Sequence, residues 1–208
     1  MPPSVIHDQA EALKLQGNQF LQQGLLDDAA RAYLHALALQ PDHFIVLSNH
    51  GIVLQAQGRL IEAVERFSQA LAIQPDFVAA LSNLGAVLLR LGRLQEAESR
   101  LTQALTLEPD NPEAHSNLGN VFLTRGQTQE AIRHYRCALE LNPNLPDPLA
   151  NLGIAYQDMG RLTEATEFLE RAMRLNPHHH ETWTNLGTVY HRQGRLDDAM
   201  ASLSRALQ

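Results

Sequence analysis

Five asparagines, Asn49, Asn83, Asn117, Asn151 and Asn185, recur at intervals of 34 residues. A carboxamide both donates and accepts, so a row of them can hold the N–H and C=O groups of an extended peptide whatever its sequence. Other chemistries find little support. His178-His179-His180 has the composition of a metal tract, but no two histidines are spaced i, i+4 and the lone Cys137 stands far from them. No phosphate-binding G-x-x-x-x-G-K run or dinucleotide fingerprint is present. Ser48, Ser82 and Ser116 recur with the same period, which reads as surface hydroxyls rather than nucleophiles. The expectation is a non-enzyme, with no catalytic residue, no metal and no cofactor.

The same period governs the whole chain. The twelve glycines form two sets spaced by 34, one at 17, 51, 85, 119, 153 and 187 and one at 24, 58, 92, 126, 160 and 194. Prolines 41, 75, 109, 143 and 177 and two columns of six alanines share it. Internal repetition of this length means stacked supersecondary units. With the first unit starting at Ala10, residues 1–9 are a lead-in. The units are then 10–43, 44–77, 78–111, 112–145, 146–179 and 180–208, forming one repeat domain.

Within a unit, apolar residues at positions 4, 7, 8 and 11 have the i, i+3, i+4, i+7 spacing of an amphipathic helix, here called helix A. In the third unit these are Leu81, Leu84, Gly85 and Leu88. A second pattern at positions 17, 20, 24, 27 and 28 gives helix B: Leu94, Ala97, Leu101, Ala104 and Leu105. Glycine at position 15 suits a left-handed cap between the two helices. Acidic residues at position 19 suit the positive N-terminal end of helix B, and the position-32 proline follows its end. Glycine at position 8 costs helix A about 1 kcal/mol relative to alanine, so its sixfold recurrence predicts that helix B crosses there too closely for a β-carbon.

At 100° per residue, positions 2, 6, 9 and 13 of helix A face away from the apolar stripe. The asparagines occupy position 6, Asn18 and Asn120 position 9, and Lys14 position 5. Neighbouring helices pack about 8–10 Å apart and an extended chain advances about 3.3 Å per residue, so one amide would meet roughly every third residue of a bound peptide. The candidate peptide-binding set is therefore Asn49, Asn83, Asn117, Asn151 and Asn185, with Asn18, Asn120 and Lys14. A second reading stands beside it, in which the asparagines only join neighbouring units. Position 2 adds Glu11, Glu113, Asp147 and Glu181, making the lining neutral to acidic. Arg59, Arg93, Arg161 and Arg195 at position 16 are each followed three residues on by a carboxylate, the spacing of local surface pairs.

The recurring Gly, Ala, aromatic or leucine, Ala and Pro columns resemble the tetratricopeptide repeat (TPR), and Trp183-Thr184-Asn185-Leu186-Gly187-Thr188-Val189-Tyr190 is the closest match to its helix A signature. The resemblance covers residues 10–208. It implies an all-α, right-handed superhelical solenoid of six helix-turn-helix hairpins with the A helices on the concave side. The implied activity is that of a non-catalytic protein-interaction scaffold binding an extended peptide or protein segment in that groove. Lys14, Asn18 and Asn49 also resemble part of the carboxylate clamp of co-chaperones that grip acidic chaperone tails. The two further cations of that clamp fall on Ala79 and Asn83, so the resemblance does not extend to its charge. Ser82-Asn83-Leu84-Gly85 and Ser116-Asn117-Leu118-Gly119 are similar to the substrate-recruiting arm of protein O-linked N-acetylglucosamine transferases, which implies the alternative of an arm belonging to a larger glycosyltransferase.

Composition narrows the partner. A formal charge of −7 and pI near 5.8 lack the basic footprint of a nucleic-acid binder. No apolar run is long enough to span a membrane, no signal peptide is visible at the start, and a single cysteine suits a reducing compartment. The expected partner is a protein or peptide, and the expected location is cytoplasmic. Met200, Leu203 and Leu207 lie in the last unit with no further helix after them, so that end is expected to be partly uncovered, as in a chain excerpted from a longer one or self-associating through its C-terminal unit.

Overall fold

The computed structural model describes residues 2–207, and those residues form twelve α-helices without a strand. They divide into two compact units, Met1–Pro109 and Asp110–Gln208. In the first, the hairpins are α1 (Pro3–Gln22) with α2 (Leu26–Leu39), α3 (Phe44–Ala56) with α4 (Leu60–Ile73), and α5 (Val78–Arg90) with α6 (Leu94–Leu107). In the second they are α7 (Pro112–Thr124) with α8 (Thr128–Leu141), α9 (Pro146–Asp158) with α10 (Leu162–Leu175), and α11 (His180–Arg192) with α12 (Leu196–Ala206). The expected lead-in is itself helical, because α1 begins at Pro3, a residue type favoured in the first helical turn.

The punctuation follows the repeat. The position-15 glycines all adopt φ between +72° and +78°, the left-handed conformation that closes a helix and turns the chain. The position-8 glycines serve a different purpose. A β-carbon added to any of them would lie 2.5 to 2.8 Å from the position-24 side chain of the following helix B, which is Tyr33, Phe67, Leu101, Tyr135, Leu169 or Leu203. An inserted side chain is thus the nearest obstacle at all six, and at Gly153 and Gly187 the backbone carbonyls of Ala165 and Ala199 also approach, to 3.2 and 3.3 Å.

In each unit the A helices touch in series, α1 to α3 to α5 and α7 to α9 to α11, while successive B helices make no comparable approach. Within the units, α3, α5, α9 and α11 are thus each wedged between their own helix B and that of the hairpin before. This widens the buried arc beyond the stripe read from the sequence. Val46, Val53, Ala80, Val87, Ala155 and Val189, at positions 3 and 10, are buried as well. So are Ser48, Ser82, Ser116 and Ala150 at position 5. The recurring serines are therefore buried and are not surface hydroxyls lining a groove.

Two polar residues sit in this packing without full compensation, Ser82, whose Oγ has no hydrogen bond, and His50. His50 occupies position 7, where later units have leucine, is 4 % exposed, and leaves Nδ1 with no hydrogen bond. Burial, with Arg66 and Arg59 nearby, lowers its pKa from 6.5 to about 4. The unfolded chain therefore binds a proton between pH 6.5 and 4 that the folded chain refuses, and folding stability must fall as pH drops through that window. Urea unfolding should lose about 2 kcal/mol more between pH 7 and 5 in the wild type than in His50→Leu. Equal losses in the two proteins would show that His50 is not buried in its neutral form.

Candidate functional site

The exposed edge of helix A places the position-6 asparagines on the side where successive A helices meet, each of them half-buried. They do not share one environment. The Nδ2 of Asn49 donates to Oδ1 of Asn18 on the preceding helix A at 2.9 Å, and the same oxygen accepts from the Tyr33 hydroxyl at 2.7 Å. In the second unit Asn151 donates to Asn120 at 2.8 Å, and Tyr135 donates to that oxygen at 2.7 Å. Burial raises both phenols, Tyr33 to about 12, which keeps them as neutral donors at any physiological pH.

Asn83, Asn117 and Asn185 make no side-chain hydrogen bond among the described residues. For Asn83 and Asn185 the reason lies one hairpin back within the same unit. Position 9 is Ile52 or Ile154, and position 24 is Phe67 or Leu169, so no oxygen waits for the amide. Tyrosine at position 24 goes with asparagine at position 9, and an apolar residue goes with isoleucine, alanine or threonine. The 15-residue spacing of Asn18 with Tyr33 and of Asn120 with Tyr135 is the sequence signal that marks the clipped asparagines.

The other candidates have partners of their own. Lys14 is half-buried and ion-paired to Glu11, whose other oxygen lies 2.7 Å from Nε2 of the buried His43. Lys14 and His43 together hold the Glu11 carboxyl down at about 2. The only lysine of the chain is thus neutralised locally. In the second unit, Asn120, Asp147, Asn151, Ile154, Glu181 and Asn185 line a cleft of about 200 Å³. Asp147 and Glu181 have no ion-pair partner among the described residues, so this cleft is acidic.

The position-16 arginines pair as their spacing predicts, with Nε to carboxylate distances of 2.7 Å for Arg59–Glu62, Arg93–Glu96 and Arg195–Asp198. His179 caps α11 and lies 2.7 Å from the Thr182 hydroxyl, and the described residues hold no group of three or more His, Cys, Asp or Glu suited to a metal. No helix among them is long and apolar enough to cross a membrane.

Residues 4–208 match the family model described as the cilia and flagella-associated protein 70 C-terminal domain, a TPR model. The chain belongs to this TPR family. No curated protein matches the sequence. Among solved structures, a chain of the APC/C hetero-tetramer Cut9–Hcn1 superposes with a TM-score of 0.90 at 21% identity, over 96% of this chain and 39% of that one. The Pseudomonas aeruginosa pilF protein gives 0.83 at 22% identity, covering 95% and 90% of the two chains. YrrB, described as a TPR protein with an unusual peptide-binding site, gives 0.63 at 23% identity, covering 86% and 92%. At these identities the likeness is one of fold.

In this TPR chain the clip is testable by exchanging one hairpin's solution for another's. Asn18→Ala should destabilise the first unit by about 1–3 kcal/mol, because it strands the Tyr33 hydroxyl and the Asn49 amide. The pair Asn18→Ile with Tyr33→Phe reproduces Ile52 and Phe67 and should recover most of the loss in urea unfolding. An Asn18→Ala protein as stable as wild type would contradict the clip.

Proposed function

We propose that the chain is a non-catalytic scaffold that holds an extended protein segment along the A-helix edge of each unit. The observation that carries this reading is the division among the asparagines. Asn49 and Asn151 each spend one N–H on a neighbour and keep a carbonyl oxygen, whereas Asn83, Asn117 and Asn185 keep both halves of the carboxamide. A half-buried amide with no internal partner costs desolvation on folding that a peptide backbone would offset. Asn18 and Asn120 would contribute only their N–H groups, and Lys14 only through its pair with Glu11. The fold is that of proteins that act by binding other proteins, and a reducing, cytoplasmic setting suits the single cysteine.

The test uses the full chain and an array of mixed-sequence synthetic 12-residue peptides. The strongest binder should lose about tenfold or more in affinity to Asn83→Ala/Asn117→Ala/Asn185→Ala, equivalent to about 1.4 kcal/mol, while the urea midpoint stays within error. Unchanged affinity in the triple variant would end the carboxamide reading.

Self-association through α12 is a second reading, supported by Met200 at 62 % and Leu207 at 90 % exposure, with Leu196 and Leu203 also exposed on the same helix. Apolar surface of this kind favours burial against another molecule. Light scattering over a concentration series should show the mass rising, and Met200→Glu should abolish the rise. A constant monomer mass would remove this reading.

A further inference from the structure

The second unit has another face, opposite its acidic cleft. Its A helices touch, but α8 stands apart from α10, and α10 from α12. The gaps form two clefts in one register, 34 residues apart. The first, about 330 Å³, has Leu152 of α9 as its floor and Leu139 and Phe168 as its walls. The second, about 320 Å³, has Leu186 of α11 as its floor and Met173 and Trp183 as its walls. Leu139 and Met173 occupy the same repeat position, as do Leu152 and Leu186.

Arginines stand on both rims: Arg136 and Arg171 at the first cleft, Arg174 and Arg205 at the second. Their internal partners leave an imbalance. Arg174 lies 3.8 Å from Glu170. Arg136 donates only to the neutral Tyr156 hydroxyl, at 2.6 Å, and Arg171 sits 5.7 Å above the Phe168 ring. Arg136, Arg171 and Arg205 have no carboxylate partner among the described residues, and Asp198 on the second rim is already held by Arg195. Glu140 is the only unpaired carboxylate on either rim. The first unit has no counterpart, with Leu34, Ser68 and Thr102 at the Arg136 position and His35, Gln69 and Gln103 at the Arg171 position.

We propose that this face of the second unit docks an acidic protein segment. The segment seats one large apolar side chain in each cleft and lays Asp or Glu side chains against Arg136, Arg171 and Arg205. The partly exposed apolar walls, Leu139 with Phe168 and Met173 with Trp183, take the side chains, and the three unpaired guanidiniums select the charge, since a basic segment would meet like charges on both rims. The site shares no residue with the asparagine edge, so either can fail without the other.

Trp183 is the only tryptophan in the chain and walls the second cleft, so its fluorescence reports occupancy directly. The probes are a synthetic Glu-rich peptide carrying two leucines and a twin with lysine at every glutamate. The Glu peptide should shift the Trp183 emission saturably and the Lys peptide should not. Arg171→Glu and Arg205→Glu should each weaken the response about tenfold, Arg171→Gln and Arg205→Gln less so, and Asn83→Ala/Asn117→Ala/Asn185→Ala should leave it unchanged. Circular dichroism confirms that each variant is folded. The proposal is overturned if the two peptides act alike, if neither shifts the emission, or if the arginine variants bind as wild type. It is overturned equally if emission shifts with protein concentration alone, which would make the occupant a second copy of the chain.

Discussion

Everything in the fold depends on one contact made six times, the position-24 side chain of helix B pressed into the notch that a glycine leaves in helix A. A β-carbon there would fall 2.5 to 2.8 Å from the incoming atoms, well inside van der Waals contact. The glycine's helix penalty is accepted because closing the hairpin buries Tyr33, Phe67, Leu101, Tyr135 and Leu169 completely. Loss of the notch would pry the two helices apart and expose the alanines at positions 20 and 27 that let them approach. The hairpin cannot cover both sides of its own helix A, so a neighbouring hairpin must, and stacking follows.

That contact also reaches the candidate site. When the side chain filling the notch is tyrosine, its hydroxyl emerges beside position 9 and needs an acceptor, which Asn18 or Asn120 supplies. The same oxygen then attracts the amide of the next position-6 asparagine. Where that side chain is Phe67 or Leu169, position 9 is isoleucine and the next asparagine, Asn83 or Asn185, is left open. A choice made for the core therefore decides, one hairpin later, which carboxamides face outward with unspent hydrogen bonds. Asparagines in the same column of the repeat are not chemically equivalent.

This is also where sequence reading reached its end. The hairpins, their left-handed glycine turns and the tight crossing at position 8 were all legible from the 34-residue period, because each is a local demand on residue type. The buried arc of helix A was not. Periodicity reports one apolar stripe per helix, and Ser48 and Ser82 look like surface residues until a second helix B is placed against them. The tyrosine clip was hidden for a similar reason: it joins three residues from two hairpins, and only its 15-residue component lies within one unit. His50 reads as one more polar substitution in the sequence, and its cost appears only when the core around it is seen to offer Nδ1 no partner.

The unequal approach of the two kinds of helix divides the second unit's surface by chemistry. Where the A helices touch, side chains converge, and small or amide groups at positions 6 and 9 fit the narrow space, with Asp147 and Glu181 left unpaired beside them. Where the B helices stand apart, clefts open between them, walled by Leu139 with Phe168 and by Met173 with Trp183. Those rims carry four arginines, Arg136, Arg171, Arg174 and Arg205, at repeat positions that are uncharged or only histidine in the first unit. One stacking geometry thus yields an edge suited to a peptide's backbone and a face suited to a partner's side chains. The repeat specifies the shape of both surfaces, and only the residues that vary from hairpin to hairpin give either of them a preference.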